Sequence, residues 1–384
     1  MALSFNTGVT LSLKILVDEN IPAAVSCFSQ FGEVRRVNGR QLSKTDIADA
    51  EVLIVRSVTK VCKHLLDGTG VRFVGSTTIG TDHLDLNYLA ESGIKTCNAP
   101  GSNAESVVDY VISAICQTDD LLERLLSGEP VGIIGFGNVG KRLARRLEAL
   151  GIAWRAYDPL LNKDEFPHLG GLDDVLRCSL LCLHAPLTRT GDHPSFHMLD
   201  TSLLTRLPED AVLLNAGRGE IVSTDSLMAL SRQRPDISLL LDVWEGEPAF
   251  PVALANRCRI ATPHIAGYSV DGKLSGLRMV ASQLAEFLGV QYCDFDVPLE
   301  MTAGETLHCS GANRADFIRR TVLSVYDVKE DDERFRRIIN ELDRGLAFDL
   351  LRKQYPLRRE LAYSSLVATS ASFKETLNAL QSGR

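Results

Sequence analysis

From Leu13 onward, leucine-rich or β-branched runs alternate with segments of helical periodicity, and the alternation occurs twice. The first series holds "LKILVDE", "VLIVRS" and "RFVGSTTI". Around these lie "IPAAVSCFSQFG", "KVCKHLLDG" and "HLDLNYLAESG", each with helix periodicity and a terminal glycine. The second series holds "PVGIIGFG", "IAWRAYD", "SLLCLHAP", "AVLLNAG" and "SLLLDVW". Continuous apolar runs of this length are strands buried on both faces, and their alternation with helices requires parallel sheets covered on both sides. The expected class is therefore α/β, with two doubly wound parallel-sheet domains.

Between the series, Asn103 to Ser127 reads as one long amphipathic segment, suited to a helix joining two domains. A second long helical pattern, Val270 to Leu288, has no third strand series beside it and is expected to return to the first domain. After Gly289 the character changes. "QYCDFDVPLEMTAGE" reads as a linker, "FIRRTVLSVYDV" and "RFRRIINELDRGL" as charged amphipathic helices, and "SSLVATS" as a last apolar run. Such a segment makes a small α+β module of the kind that serves assembly. The expected domains are residues 1–98 with 269–290, residues 99–268, and residues 291–384.

Hydrophobic content of 45% with 23% charged residues fits a soluble globular protein. A net charge of −8 leaves no basic footprint for nucleic acid. No apolar run reaches the ~20 residues that span a bilayer, so no membrane partner is expected. The opening "MALSFNTGVTLS" lacks the basic start and apolar run of a signal peptide and reads as a disordered extension or an early start. Nine cysteines without a CxxC pair suit a reducing, cytoplasmic compartment.

"VGIIGFGNVGKRLARRLEALG" contains Gly135, Gly137 and Gly140 in GxGxxG spacing, after an apolar strand and at the opening of a helix. That context marks a dinucleotide turn: the first glycine for the bend, the second for close approach of a pyrophosphate, the third for helix–sheet packing. The helix start favours the anion. Asp158 ends the next strand, where a carboxylate accepts from the adenosine ribose and repels a 2′-phosphate. The second domain is thus Rossmann-like, and the cofactor is NAD rather than NADP. Arg155 faces the other way by strand alternation.

Three later strand ends each carry an unusual polar residue: Arg218 in "LLNAGRG", Asp242 and then Glu247 in "LLLDVWEGEP", and His264 in "IATPHIAGYS". Parallel strands deliver their following loops to one carboxyl edge, so these distant residues become neighbours. Oxidising an alcohol to a ketone needs a base for the hydroxyl proton, and an imidazole with an unperturbed pKa of roughly 6.5 suits. A carboxylate on its other nitrogen fixes the tautomer and stabilises the imidazolium. Glu247 is the candidate partner. Arg218 can hold a substrate carboxylate in a bidentate fork. Taken singly, each admits a bland reading: a satisfied core histidine, a solvated loop acid, a surface cation.

His193, His197 and His184 admit a metal reading, but Pro194 and the loop-like "TRTGDHPSFH" secure no helix face for ligands. No GxSxG elbow and no GxxxxGK[ST] loop occur. "VRSVTK" sets Arg56, Ser57 and Lys60 at a strand end facing the expected interdomain cleft, a set suited to phosphate.

Together these motifs resemble the D-isomer-specific 2-hydroxyacid dehydrogenases, through the GxGxxG turn, the "NAGRG" arginine, the "DVWEGEP" acid and the "PHIAG" histidine. The likeness runs from Lys14 almost to the end, with "KILVDEN", "VRSVTKV", "GTDHLD" and "PHIAGYSVDGK" included. It implies NAD-dependent oxidation of a small phosphorylated hydroxy acid, with Arg218, Glu247 and His264 catalytic and a homodimer made by the carboxy-terminal module. Asn138, Val139, Asp158, Ala185, Asp242 and Gly267 fall at NAD-contacting positions, and Ser57, Thr78 and Tyr268 at substrate positions. Ala185 offers only a methyl where relatives carry Thr, so its contact is through the backbone. Arg358 and Arg359 are placed to add charge across a dimer interface. Two alternatives stand beside this reading: a dehydrogenase for another D-2-hydroxy acid such as phosphoglycerate, and a non-catalytic NAD-sensing binding protein on the same scaffold.

Overall fold

The first strand series forms a five-stranded sheet, from β1 (Leu13–Asp18), β2 (Gly32–Val37), β3 (Val52–Val55), β4 (Phe73–Ser76) and β5 (Lys95–Cys97). Its order is β2-β1-β3-β4-β5 and every pairing is parallel. In this computed structural model residues 13–383 are described, so the expected amino-terminal extension lies outside the described residues. β2 and β5 carry no clear apolar run. β2 is an edge strand whose "GEVRRV" is nowhere buried, which is why its composition hides it.

The chain divides by contacts into two units: residues up to Asn103 with Val270–Ala303, and Ala104–Ser269 with Gly304–Arg384. Val270–Leu288 is one 19-residue helix of the first unit. Its Leu277, Val280, Ala281 and Leu284 share a core with Ile15, Val17, Ile54 and Phe73. The linker beyond it lies on the same unit: Gln30 Nε2 donates to the Cys293 carbonyl at 2.9 Å, and Cys293 N to Gln30 Oε1 at 3.0 Å.

The second unit holds β6 (Val131–Ile134), β7 (Trp154–Tyr157), β8 (Leu180–Leu183), β9 (Val212–Asn215), β10 (Ser238–Leu241) and β11 (Ile260–Ala261). They form one parallel sheet in the order β11-β10-β9-β8-β6-β7. The chain steps outward from β6 in both directions, as a doubly wound sheet does.

The segment expected as one amphipathic helix is two. Ala104–Cys116 has every residue but Glu105 buried, and Leu121–Leu126 follows. Between them the Thr118 hydroxyl bonds back to the Ala114 carbonyl at 2.8 Å and Asp119 takes φ +27°, which ends the first helix. The carboxy-terminal segment packs into this unit rather than standing apart. Ile318 and Val322 of the helix Arg314–Val325 enter the core of Ala104–Cys116, and Phe335 of Val328–Ile338 stacks on Trp244 at 5.3 Å. "RFRRIINELDRGL" is also broken, ending one helix at Ile338 and starting another, Arg344–Lys353. "SSLVATS" supplies β13 (Leu366–Ala368), parallel to β12 (Leu307–Cys309). Among the described residues no helix is long and apolar enough to cross a membrane.

Candidate active site

The last residues of the six strands stand in one register across the second sheet: Tyr157, Ile134, Leu183, Asn215, Leu241 and Ala261. The loops that begin at Asp158, Gly135, His184, Ala216, Asp242 and Thr262 therefore leave the sheet at the same edge. This is the physical reason why residues far apart in sequence meet there.

Gly135 takes φ +91°, and a Cβ on it would lie 2.5 Å from the Ala185 nitrogen, so only glycine lets the turn cross the β8 loop. Gly137, by contrast, faces open space, with nothing within 4 Å of a Cβ. A Cβ on Gly140 would meet the Gly135 carbonyl oxygen at 2.3 Å, so the helix Asn138–Ala149 packs tightly on the turn. Asn138 and Val139 form the first turn of that helix, which has no side-chain cap. Its opening N–H groups stay available to an anion, and the cradle fits a dinucleotide pyrophosphate. Asp158 Oδ2 accepts from Phe136 N at 2.9 Å and Oδ1 from Leu160 N at 3.1 Å, so this carboxylate also braces the glycine turn.

The β9 loop is set by Asn215. Its Nδ2 donates to the Arg218 carbonyl at 3.0 Å and its Oδ1 accepts from Gly217 N at 3.1 Å. Arg218 Nη1 donates to the Gly217 carbonyl at 2.8 Å, and the half-buried side chain takes part in no ion pair among the described residues. A Cβ on Gly219 would come within 2.1 Å of the Trp244 carbonyl carbon, so the Arg218 loop lies directly on the loop after β10.

Trp244 ties that loop to the next. Its backbone N donates to Glu247 Oε2 at 3.2 Å, and its indole Nε1 donates to the Thr262 carbonyl at 2.9 Å. Asp242, expected at an NAD contact, is 1% exposed, and its carboxylate is turned inward. Oδ1 accepts from the Thr262 hydroxyl at 2.7 Å and Ile265 N at 2.8 Å, and Oδ2 from Ala266 N at 2.9 Å. His264 N donates to the Asp242 carbonyl at 2.7 Å. These bonds hold His264 at φ +57°, a backbone state that non-glycine residues keep only where their surroundings impose it.

So fixed, His264 Nδ1 meets Glu247 Oε1 at 2.5 Å. Burial, the largest influence, raises the Glu247 carboxyl, but the bond and charge of His264, the Trp244 N–H and the Arg352 charge together leave the acid below its ordinary value. The Nε2 side of the imidazole is left for a reacting proton. Gly267 forms the turn after His264, and Tyr268 packs edge-to-face on Tyr355 with centroids 5.6 Å apart. The Arg352 guanidinium carbon lies 5.8 Å from the Tyr268 ring.

Both ring nitrogens of half-buried His184 are shielded from solvent with no hydrogen-bond partner among the described residues, and this burial pushes its pKa down to about 4, so it is neutral. His197 is turned to Glu245, Nε2 to Oε1 at 2.6 Å. In the other unit, Arg56 Nε donates to Asp18 Oδ1 at 3.0 Å, Ser57 and Lys60 are exposed, and Thr78 Oγ1 bonds Ser76 Oγ at 2.8 Å. Val55 and Ser76 are register partners, so the Arg56–Ser57 and Thr77–Thr78 segments leave their sheet side by side.

Sequence reasoning passed over Asn215 and Trp244, although both lie inside the motifs that carried it. It passed over Arg352 because nothing around that residue signals a site. Arg358, expected at an interface, is 5% exposed and donates to the carbonyls of Ser106 at 3.0 Å and Ala266 at 2.7 Å. It is an internal brace, since both acceptors lie in its own chain.

Residues 108–266 match the model described as the D-isomer specific 2-hydroxyacid dehydrogenase NAD binding domain. Fold and loop set together define an NAD-dependent 2-hydroxyacid dehydrogenase. Residues 299–381 match a domain of unknown function. Within that class the chain belongs to the erythronate-4-phosphate dehydrogenase family. It is 42% identical over 370 residues to the erythronate-4-phosphate dehydrogenase of Teredinibacter turnerae, covering 96% of this chain and 98% of that one. The enzyme of that name from Stutzerimonas stutzeri is 44% identical over 356 residues, 91% of this chain and 93% of the relative. Among solved structures, the fold matches NAD+-bound 3-phosphoglycerate dehydrogenase of Entamoeba histolytica, with TM-score 0.61 and 24% identity over 74% of this chain and 100% of that one.

Proposed function

We propose that the chain oxidises the C2 hydroxyl of 4-phospho-D-erythronate with NAD+, giving 3-hydroxy-2-oxo-4-phosphooxybutanoate for pyridoxal 5′-phosphate biosynthesis. NAD+, held at the glycine turn, would supply the hydride acceptor for C2. His264 takes the hydroxyl proton on Nε2, while Glu247 on Nδ1 fixes the tautomer and stabilises the imidazolium as it forms. Arg218 holds the substrate carboxylate and polarises the C2 oxygen beside it. The backbone N–H groups at Asn138 and Val139 receive the cofactor pyrophosphate, with Gly135, Gly137 and Gly140 shaping the approach. Asp158 faces the ribose, and Ala185 and Gly267 contribute backbone. Asp242 acts by holding the His264 loop. Ser57, Thr78 and Tyr268 supply hydroxyls to the substrate, and Arg56 and Lys60 add positive charge.

The observation that carries this reading is the His264–Glu247 pair, 2.5 Å apart at the strand edge that also bears the glycine turn. Replacing His264 with Asn is expected to leave NAD binding intact and cut turnover by about 10²–10⁴-fold. Reduced nicotinamide formed from NAD+ with 4-phospho-D-erythronate or 3-phosphoglycerate separates this substrate from the alternative. Unchanged turnover in the variant would remove His264 from the mechanism.

The protein works in the cytoplasm as a homodimer through its carboxy-terminal module. Nine free cysteines support a reducing compartment. Leu342, Leu346 and Leu350, 104%, 57% and 41% exposed at a four-residue spacing, support a self-association face. A light-scattering mass of one chain would refute the dimer.

A further inference from the structure

The carboxy-terminal segment places one arginine next to the residues assigned to chemistry. Arg352 lies in the last turn of the helix Arg344–Lys353, with its guanidinium carbon 5.8 Å from the ring centroids of both Tyr268 and Phe348. Its charge acts on Glu247, and Tyr268 is within hydrogen-bonding reach. Among the described residues the fork is not consumed by a close acid: Nη1 lies 3.9 Å from Asp349 Oδ1, beyond hydrogen-bond length. Its Nε is buried and has no hydrogen-bond partner among the described residues. Arg146 and Arg358 also have an unpartnered Nε but are closed in by their own chain, whereas the Arg352 side chain is 27% exposed, which leaves a ligand room to supply the missing acceptor.

The surroundings hold this cation in place. Tyr355, which packs on Tyr268, donates its hydroxyl to Asp331 Oδ2 at 2.7 Å, beside the Tyr326 hydroxyl at 2.8 Å. Arg358 sits over the Tyr326 ring at 4.1 Å and grips the Ala266 carbonyl, two residues before Tyr268. Glu360 Oε1 accepts from the hydroxyls of Ser106 at 2.9 Å and Ser269 at 2.7 Å, one residue after Tyr268. The module is thus fastened on both sides of Tyr268, and helix and loop keep a fixed relation.

We propose that Arg352 is a specificity-determining residue that binds the phosphoryl group of the substrate, so that the carboxy-terminal module completes the active site of its own chain. The inference rests on the reading above: the substrate is anionic at both ends, Arg218 holds the carboxylate, and the Arg56 guanidinium assigned to the phosphate end already donates to Asp18 Oδ1 at 3.0 Å, so a further guanidinium adds to that set. A planar fork suits a phosphoryl group's oxygens, and packing between two aromatic rings limits the freedom lost on binding. The other phosphoryl group at hand is the cofactor's pyrophosphate, and the test separates the two.

Full-length wild type, R352M and R352K are compared by kcat/KM for 4-phospho-D-erythronate and for unphosphorylated D-erythronate at saturating NAD+. The affinity for NAD is measured by fluorescence, and that for inorganic phosphate by calorimetry. The preference for the phosphorylated acid is expected to fall roughly 10–100-fold in R352M, the size of a lost charge-assisted hydrogen bond. R352K should recover part of it through its charge, and phosphate binding should weaken in parallel. An unchanged preference in both variants overturns the proposal. So does a weakened NAD affinity, which would assign Arg352 to the cofactor, or a shifted pH profile with preference intact, which would make it only a neighbour of Glu247. Wild type inert toward 4-phospho-D-erythronate would sink the substrate reading instead. In that case phosphate binding lost in R352M still supports the anion site, and phosphate binding retained there refutes it.

Discussion

Replacing Asp242 with Asn keeps the shape of a side chain that is 1% exposed and removes one acceptor oxygen. The carboxylate receives three donors: the Thr262 hydroxyl, Ile265 N and Ala266 N, all within 2.9 Å. An amide in either orientation turns its NH2 toward a backbone N–H, that of Ala266 or, flipped, that of Ile265. One buried donor is then unmatched, which costs about 1–3 kcal/mol. The remaining bonds lose charge assistance, which roughly halves them and adds about 1–2 kcal/mol. The total of about 2–5 kcal/mol corresponds to a roughly 30- to 5,000-fold shift toward the open form of the His264 loop. A domain with about 5–15 kcal/mol of stability survives that loss, so the effect reads as local opening. Hydrogen exchange resolved to residues 262–268 measures it directly, and turnover should fall about 100-fold or more as His264 leaves its position. Exchange within about threefold of wild type, together with full turnover, would refute the claim that Asp242 builds the site by holding this loop.

Glu247→Gln keeps a partner for His264 but removes its charge, and kcat/KM should fall roughly 10- to 150-fold. Normal activity in that variant would dissociate the carboxylate from catalysis. Because the folded Glu247 carboxyl lies below 4.5, its contribution to stability is complete above that pH and is lost as pH falls through the lowered folded value. Unfolding free energies of wild type and Glu247→Gln should therefore differ most near neutrality and converge in acid. For His184, burial holds the folded pKa at about 4 against roughly 6.5 unfolded, so the unfolded chain takes up the proton first. Stability should be complete above about pH 6.5 and decline toward pH 4, while His184→Gln should show a flatter profile in urea midpoints. The same acid-side decline in both proteins would mean that His184 is not the group responsible.

The parts of the fold legible in the sequence were those where burial is two-sided. β1, β3, β4, β6 and β8 to β10 announce themselves because a strand covered on both faces must be apolar at nearly every position. The glycine turn was legible for a related reason, since positive φ at Gly135 and close contact at Gly140 admit no side chain. Edge strands β2 and β5 were not, because solvent on one side leaves little compositional trace. The break between Cys116 and Leu121 was missed because it turns on one left-handed aspartate rather than on a change in hydrophobic period.

Residue types and their order along strands were enough to specify a dinucleotide turn, an acid, a base and a guanidinium at one sheet edge. That much follows from the shared direction of parallel strands, which is a local and topological constraint. The pairing of Glu247 with His264 was already the candidate in the sequence, but that Asp242 serves the loop, and that Arg352 and Arg358 come back to Tyr268 and Ala266, were decided only in three dimensions. Those contacts join residues up to 92 positions apart. Their geometry comes from the packing of whole elements, which no window of sequence contains.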